Sequence, residues 1–137
     1  MKPTKTTYHL VTQPTQYKAC YALYRAAQPG GPKIKLGFPT VYAQREGVLL
    51  GFLSSIPKQP EVVAGPLVMD PTLKVPVITA MRLCEAYEEV LRTAGVTCYL
   101  FCVDSHRAGW ARTLERSGFH LFKQTPTLFC YEREMAQ

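Results

Sequence analysis

The sequence predicts an α/β domain, one mixed β-sheet with helices on both faces in the order β-α-β-β-β-α-β-α-β-β. Three stretches predict it. The first, EVVAGPLVMDPTLKVPVITAMRLCEAYEEVLRTAG from Glu61 to Gly95, couples a short strand to a long helix. Val62 to Met69 is apolar enough for a buried strand, and Asp70-Pro71 turns the chain out of it. Val77, Ala80, Met81, Cys84, Tyr87, Leu91 and Ala94 then recur mostly every three or four residues, which lays them on one helical face. Gly95 stops the helix, and Arg92 sits in its last turn, where a cation suits the dipole. This is half of a βαβ unit, and the phosphates of any ligand are expected at the helix start. The second stretch, Val96 to Val103 (VTCYLFCV), is nearly all apolar, as a central parallel strand covered on both faces would be. The third is a hairpin, Thr40 to Arg45 and Val48 to Leu53 flanking Glu46-Gly47.

The remaining elements follow in chain order. Met1 to Lys5 reads as a frayed lead-in, and Thr6 to Val11 as a first strand. Thr15 to Ala27 carries Tyr17, Cys20, Tyr21 and Tyr24 at helical spacing, with Thr15 as the expected cap. These tyrosines read as core in preference to a binding role. Pro29-Gly30-Gly31-Pro32 breaks the helix, and Lys33 to Pro39 is expected to be a loop, either lining an acceptor site or only linking. Gly51 marks a bulge or a close backbone approach in the second hairpin strand. Ser54 to Gln59 reads as a polar connection. Pro66 removes a ladder hydrogen bond, so the strand holding it must be bulged, splayed or at an edge. Asp104-Ser105-His106 opens a last helix, Arg107 to Ser117, with Ser105 as cap and Trp110, Ala111 and Leu114 inward. Gly118 ends it. Phe119 to Lys123 and Leu128 to Glu134 form a closing hairpin.

Residues 1–137 make a single domain. The net charge of +6 is compatible with a nucleic acid, an anionic cofactor, an acidic protein or solubility alone. No basic cluster is dense enough for a phosphate-backbone stripe, which disfavours nucleic acid. The five cysteines are odd in number and lack a CxxC pair, and Cys98 and Cys102 stand in an apolar run as buried thiols would. This fits a reducing, cytoplasmic compartment. His9, His106 and His120 form no zinc-ligand pattern with them, so no metal is expected. A polar N-terminus without a long apolar segment predicts neither signal peptide nor membrane span.

Leu114-Glu115-Arg116-Ser117-Gly118-Phe119, the strand ending at Val103, and the Val68-Met69-Asp70-Pro71 exit carry a resemblance. In this element order they resemble the GCN5-related N-acetyltransferase (GNAT) family, from about residue 6 to residue 134. The resemblance implies a GNAT-like fold, acetyl-CoA (coenzyme A) as cofactor, and transfer of an acetyl group to a primary amine of a small molecule or protein. It implies a pyrophosphate cradle at Lys74-Val75-Pro76-Val77-Ile78-Thr79 and a pantetheine arm paired to the backbone of Leu67, Val68 and Met69. Arg107 or Arg112 would flank the phosphates.

The chain departs from the family at two places. Val75, Val77 and Thr79 stand where glycines are expected, and Pro76 has no N–H to give. The nest is expected to be made by the N–H groups of Val77, Ile78 and Thr79, with Lys74 keeping a positive charge. Leu114 occupies the position of the usual tyrosine acid and cannot donate a proton. Arg107 or His106 replaces the helix-opening asparagine. The acid–base candidates are therefore Glu61, a strand-start carboxylate or a solvated one; His106, at the C-terminal end of the central strand; and Tyr99, a substitute acid or a packing ring. Cys84 and Cys102 read as core. The alternative to catalysis is a degenerate GNAT-like protein that binds and modulates a partner, with a likeness to bacteriophage-encoded versions and a host protein as the partner. A monomer or homodimer is expected.

Overall fold

The computed structural model describes residues 5–104, 108–124 and 128–135. Its elements are β1 (Thr7–Leu10), α1 (Pro14–Ala27), β2 (Gly37–Arg45), β3 (Val48–Ser55), β4 (Val63–Met69), α2 (Val77–Thr93), β5 (Cys98–Asp104), α3 (Ala108–Arg116), β6 (His120–Gln124) and β7 (Leu128–Glu134). They form one seven-stranded sheet in the order β1-β2-β3-β4-β5-β7-β6. Only β4 and β5 run parallel among the neighbouring strands, and α2 is the crossover between them. This is the mixed α/β sheet that the pattern predicts. No helix among the described residues is long and apolar enough to cross a membrane.

The alternation of β-strand side chains divides the core in two. On one face, Val41, Ala43, Leu53, Tyr99, Phe101 and Tyr131 pack under α2 and Leu114 of α3. On the other, Phe52 and Val68 pack against Cys20, Leu23 and Tyr24 of α1.

Several local expectations are corrected. Gln13, not Thr15, precedes α1. Pro14 fills the first helical position, and Gln16 Oε1 accepts the Thr12 and Gln13 N–H groups at 2.7 and 2.9 Å. The loop expected to Pro39 is already strand from Gly37, with a register shift before Val41. The polar connection expected from Ser54 is β3 through Ser55, and both serines are buried. Their hydroxyls are what permit it. Ser54 bonds Thr40, and Ser55 Oγ donates to the Pro39 carbonyl at 2.7 Å while lying 2.6 Å from the Tyr87 hydroxyl. On α2 the buried stripe is Thr79, Ala80, Leu83, Tyr87, Glu88 and Leu91. Val77 and Met81 are exposed, as is Ala94, because the sheet passes beneath the Leu83–Tyr87 side of the helix. Cys98 is half-buried, its thiol 3.5 Å from Glu132 Oε1, rather than enclosed. The caps assigned around Ser105 lie outside the described residues.

Candidate functional site

The sheet parts between its two parallel strands. β4 pairs with β5 only at Val63↔Leu100 and Ala64↔Phe101. Gly65 then takes φ +139, ahead of Pro66, and the β3 partner register slips between Leu53 and Ser55. Beyond that point β4 continues against β3 alone, Leu67 opposite Leu53 and Met69 opposite Gly51. The Asp70 N–H bonds the Leu50 carbonyl of β3 at 2.8 Å. By the alternation of an antiparallel ladder, Val68 also faces β3, while the N–H and C=O groups of Leu67 and Met69 face the gap. Of the three residues expected to pair with a ligand arm, two present backbone to it.

The chain leaves β4 by a turn built on Asp70, whose carboxylate accepts the Thr72 N–H and hydroxyl at 2.9 and 2.7 Å. α2 then starts from an extended Pro76 that offers no side-chain cap. The Thr79 N–H is already bonded to the Pro76 carbonyl at 3.0 Å. The Val77 and Ile78 N–H groups have no acceptor among the described residues. The expected three-donor nest is therefore a two-donor one, at the positive end of a 17-residue helix. Val77 and Ile78 are exposed beside it.

The other expected site residues fall at several places. Glu61 is exposed, two residues before β4, at the end of the strand opposite the gap. Arg112 is exposed on α3. Lys74 lines a cleft between α2 and the β2–β3 hairpin. His106 and Arg107 lie outside the described residues.

Tyr99 is fully buried, and its hydroxyl donates to Glu88 Oε2 at 2.7 Å. Burial first, then the nearby Cys84 and Glu88, hold its proton far more tightly than in an ordinary phenol. Its ring meets Tyr87 and Phe119 edge-on at 5.5 and 5.8 Å. Tyr99 is thus a core residue whose proton is committed, which corrects its reading as a substitute acid. Burial likewise pushes the Cys84 thiol up to about 12, with Glu88 adding to it, so no thiolate is available at neutral pH.

Glu88 escaped the sequence reading. It lies on the buried stripe between Tyr87 and Leu91, and that placement of a carboxylate was the available signal. Arg133 of β7 holds it at 3.3 Å, donates to the Ser117 carbonyl at 2.7 Å, and lies 5.4 Å over the Phe119 ring. Arg92 reaches its other oxygen at 3.4 Å. The cluster ties α2, β5, β7 and the end of α3 together.

No protein-family model matches the chain, and no curated protein matches it in sequence. Solved structures do. The ribosomal-protein-S18-alanine N-acetyltransferase from Escherichia coli superposes with a TM-score of 0.74 at 15% identity, over 97% of each chain. YncA from Salmonella typhimurium, solved with its cofactor acetyl-CoA, gives 0.74 at 14% identity over 97% of this chain and 95% of that one. The PaiA N-acetyltransferase from Thermoplasma acidophilum, solved with coenzyme A, gives 0.61 at 16% identity over 70% of this chain, which spans 60% of that longer protein. At these identities the likeness concerns the fold, and the chain has the mixed α/β fold of GNAT acetyltransferases.

Proposed function

We propose that this protein is an acyl-CoA-dependent N-acetyltransferase that acetylates a primary amine of a small molecule or protein. The observation that carries the reading is the parting of β4 from β5 beside the start of α2, in a fold shared with acetyltransferases solved with coenzyme A or acetyl-CoA. The backbone of Leu67 and Met69 suits a pantetheine amide as an added strand edge. The Val77 and Ile78 N–H groups suit a pyrophosphate, with Arg112 as an outer cation. Bound acetyl-CoA supplies a thioester carbonyl. Amine attack forms the N–C bond, the C–S bond breaks, and the amine's proton leaves to a base while the thiolate gains one. His106 is the group proposed to move these protons, since Glu61 stands at the far end of β4 from the gap. With two donors and no acid at Leu114, coenzyme affinity is weak and the step is slow.

Val77→Pro tests the cradle. Proline is comfortable at a first helical position but has no N–H. Losing one hydrogen bond to a charged group weakens acetyl-CoA binding about tenfold in calorimetry, with an unchanged melting temperature. If millimolar acetyl-CoA gives no heat and no labelled acetyl reaches any amine, the enzyme reading fails. A non-catalytic role on the same fold, including binding a host protein, then takes its place.

A further inference from the structure

We infer a second ligand site, for a phosphorylated small molecule with an apolar body, in the cleft between α2 and the β2–β3 hairpin. The cleft has a volume of about 690 Å³, within the range of small-molecule pockets. Four cations line it from four separate parts of the chain: Lys5 before β1, Arg45 at the hairpin, Lys74 in the β4–α2 loop, and Arg82 on α2. Among the described lining residues Glu46 is the one carboxylate. Among the described residues Lys5, Arg45 and Lys74 make no ion pair. Arg82 pairs with Glu85 at 2.9 Å, but both side chains are more than half exposed, so that pair costs little to give up. Tyr8, Leu50, Val75 and Ile78 are among its apolar lining residues.

Cations brought together without matching acids, beside apolar lining residues, select an anion carrying hydrophobic surface. Two guanidinium forks favour a phosphate over a carboxylate, because a phosphate dianion offers more acceptor oxygens and twice the charge.

The cleft borders the start of α2, with Pro76, Ile78 and Thr79 in its lining, but no described residue of β4 or β5 lines it, so it does not open into the gap between those strands. At about 100° per residue, Ile78 and Arg82 lie on one flank of α2, and Val77, Met81 and Glu88 on the other. The Glu88 flank faces β5 and β7, through Tyr99 and Arg133. The cleft therefore takes the opposite flank, toward β1 and the hairpin. A ligand there can bind whether or not the coenzyme reading holds.

Calorimetry with octyl phosphate, octanoate and inorganic phosphate, on the wild-type chain and on Arg45→Glu/Arg82→Glu, tests the site. Octyl phosphate should bind at least tenfold tighter than either octanoate or inorganic phosphate. The double variant should lose at least tenfold of that affinity at an unchanged melting temperature. Acetyl-CoA, added to the octyl phosphate complex, should not displace it. No binding of octyl phosphate, equal binding by octanoate or inorganic phosphate, or displacement by acetyl-CoA overturns the proposal. If the double variant melts early, Lys5→Glu repeats the test from outside the secondary structure, and an affinity unchanged in that variant also overturns it.

Discussion

At Gly118 two constraints meet. Its φ is +92, and a Cβ placed there would run into the Arg133 guanidinium. Gly95 ends α2 with φ +80 but faces open space. Both close their helices in the same way, with the residue after the glycine bonding back across the last turn: Val96 N–H to Leu91 at 2.9 Å, Phe119 N–H to Leu114 at 3.0 Å. Gly95→Ala should therefore cost only the left-handed penalty, about 1–2 kcal/mol. Gly118→Ala should cost about 3 kcal/mol, because Arg133 must also leave the Ser117 carbonyl and Glu88. Urea midpoints of the two variants check this, and equal losses would show that Arg133 yields freely. The same cluster separates Tyr99→Phe from Glu88→Ala. Removing the Tyr99 hydroxyl leaves Glu88 its two arginines and should cost about 1 kcal/mol. Removing Glu88 strands Arg133, whose side chain is 25% exposed. Solvent softens that loss to about 3 kcal/mol, the low end for a broken buried pair.

β4 is the element on which the proposed activity turns, and its neighbour β3 meets it closely at one point. A Cβ on Gly51 would come within 2.6 Å of the Val68 carbonyl oxygen and 2.7–2.8 Å of the Met69 side-chain end. Gly51→Ala should thus push β3 and β4 apart and destabilise the protein by about 1–3 kcal/mol. Adding Met69→Ala should not restore stability, because the carbonyl contact is with backbone; full recovery in the double variant would place the strain in the methionine alone. The features at this strand were legible: Pro66 demanded an irregular ladder and Gly51 a bulge or close approach, and both occur. Ser54 and Ser55 were not legible. Two serines opening a polar run look like a loop, and their burial depends on hydroxyl partners, Thr40, Pro39 and Tyr87, that sequence order keeps apart. The face of α2 was legible in period but not in phase, since Val77 and Met81 are as apolar as Leu83 and only the placement of the sheet decides among them.

Over the whole molecule the element order and the sheet's parallel pair could be read because they depend on local period and turn chemistry. The cationic cleft could not, because Lys5, Arg45, Lys74 and Arg82 form no cluster along the chain and meet only once it folds. The buried titratable groups are likewise a product of folding, and they set how stability depends on pH. Burial raises the Cys20 and Cys84 thiols from 9.0 to about 12, and the Tyr87 phenol from 10.0 to about 12. In each case the folded chain holds a proton that the unfolded chain releases. Stability from these groups is complete below pH 9 and declines as pH rises from 9 toward 12, because there the unfolded state binds fewer protons. Lysine deprotonation acts oppositely, since loss of charge from a chain of net +6 relieves repulsion. A melting temperature that is level to pH 8.5 and then falls steadily is the expected result, and a level or rising curve to pH 11 would contradict it. In Cys20→Ala/Cys84→Ala the fall should begin nearer pH 10, where Tyr87 takes over. Adding Tyr87→Phe should flatten it further, although the triple variant starts from a lower melting temperature because Ser55 loses its phenol partner.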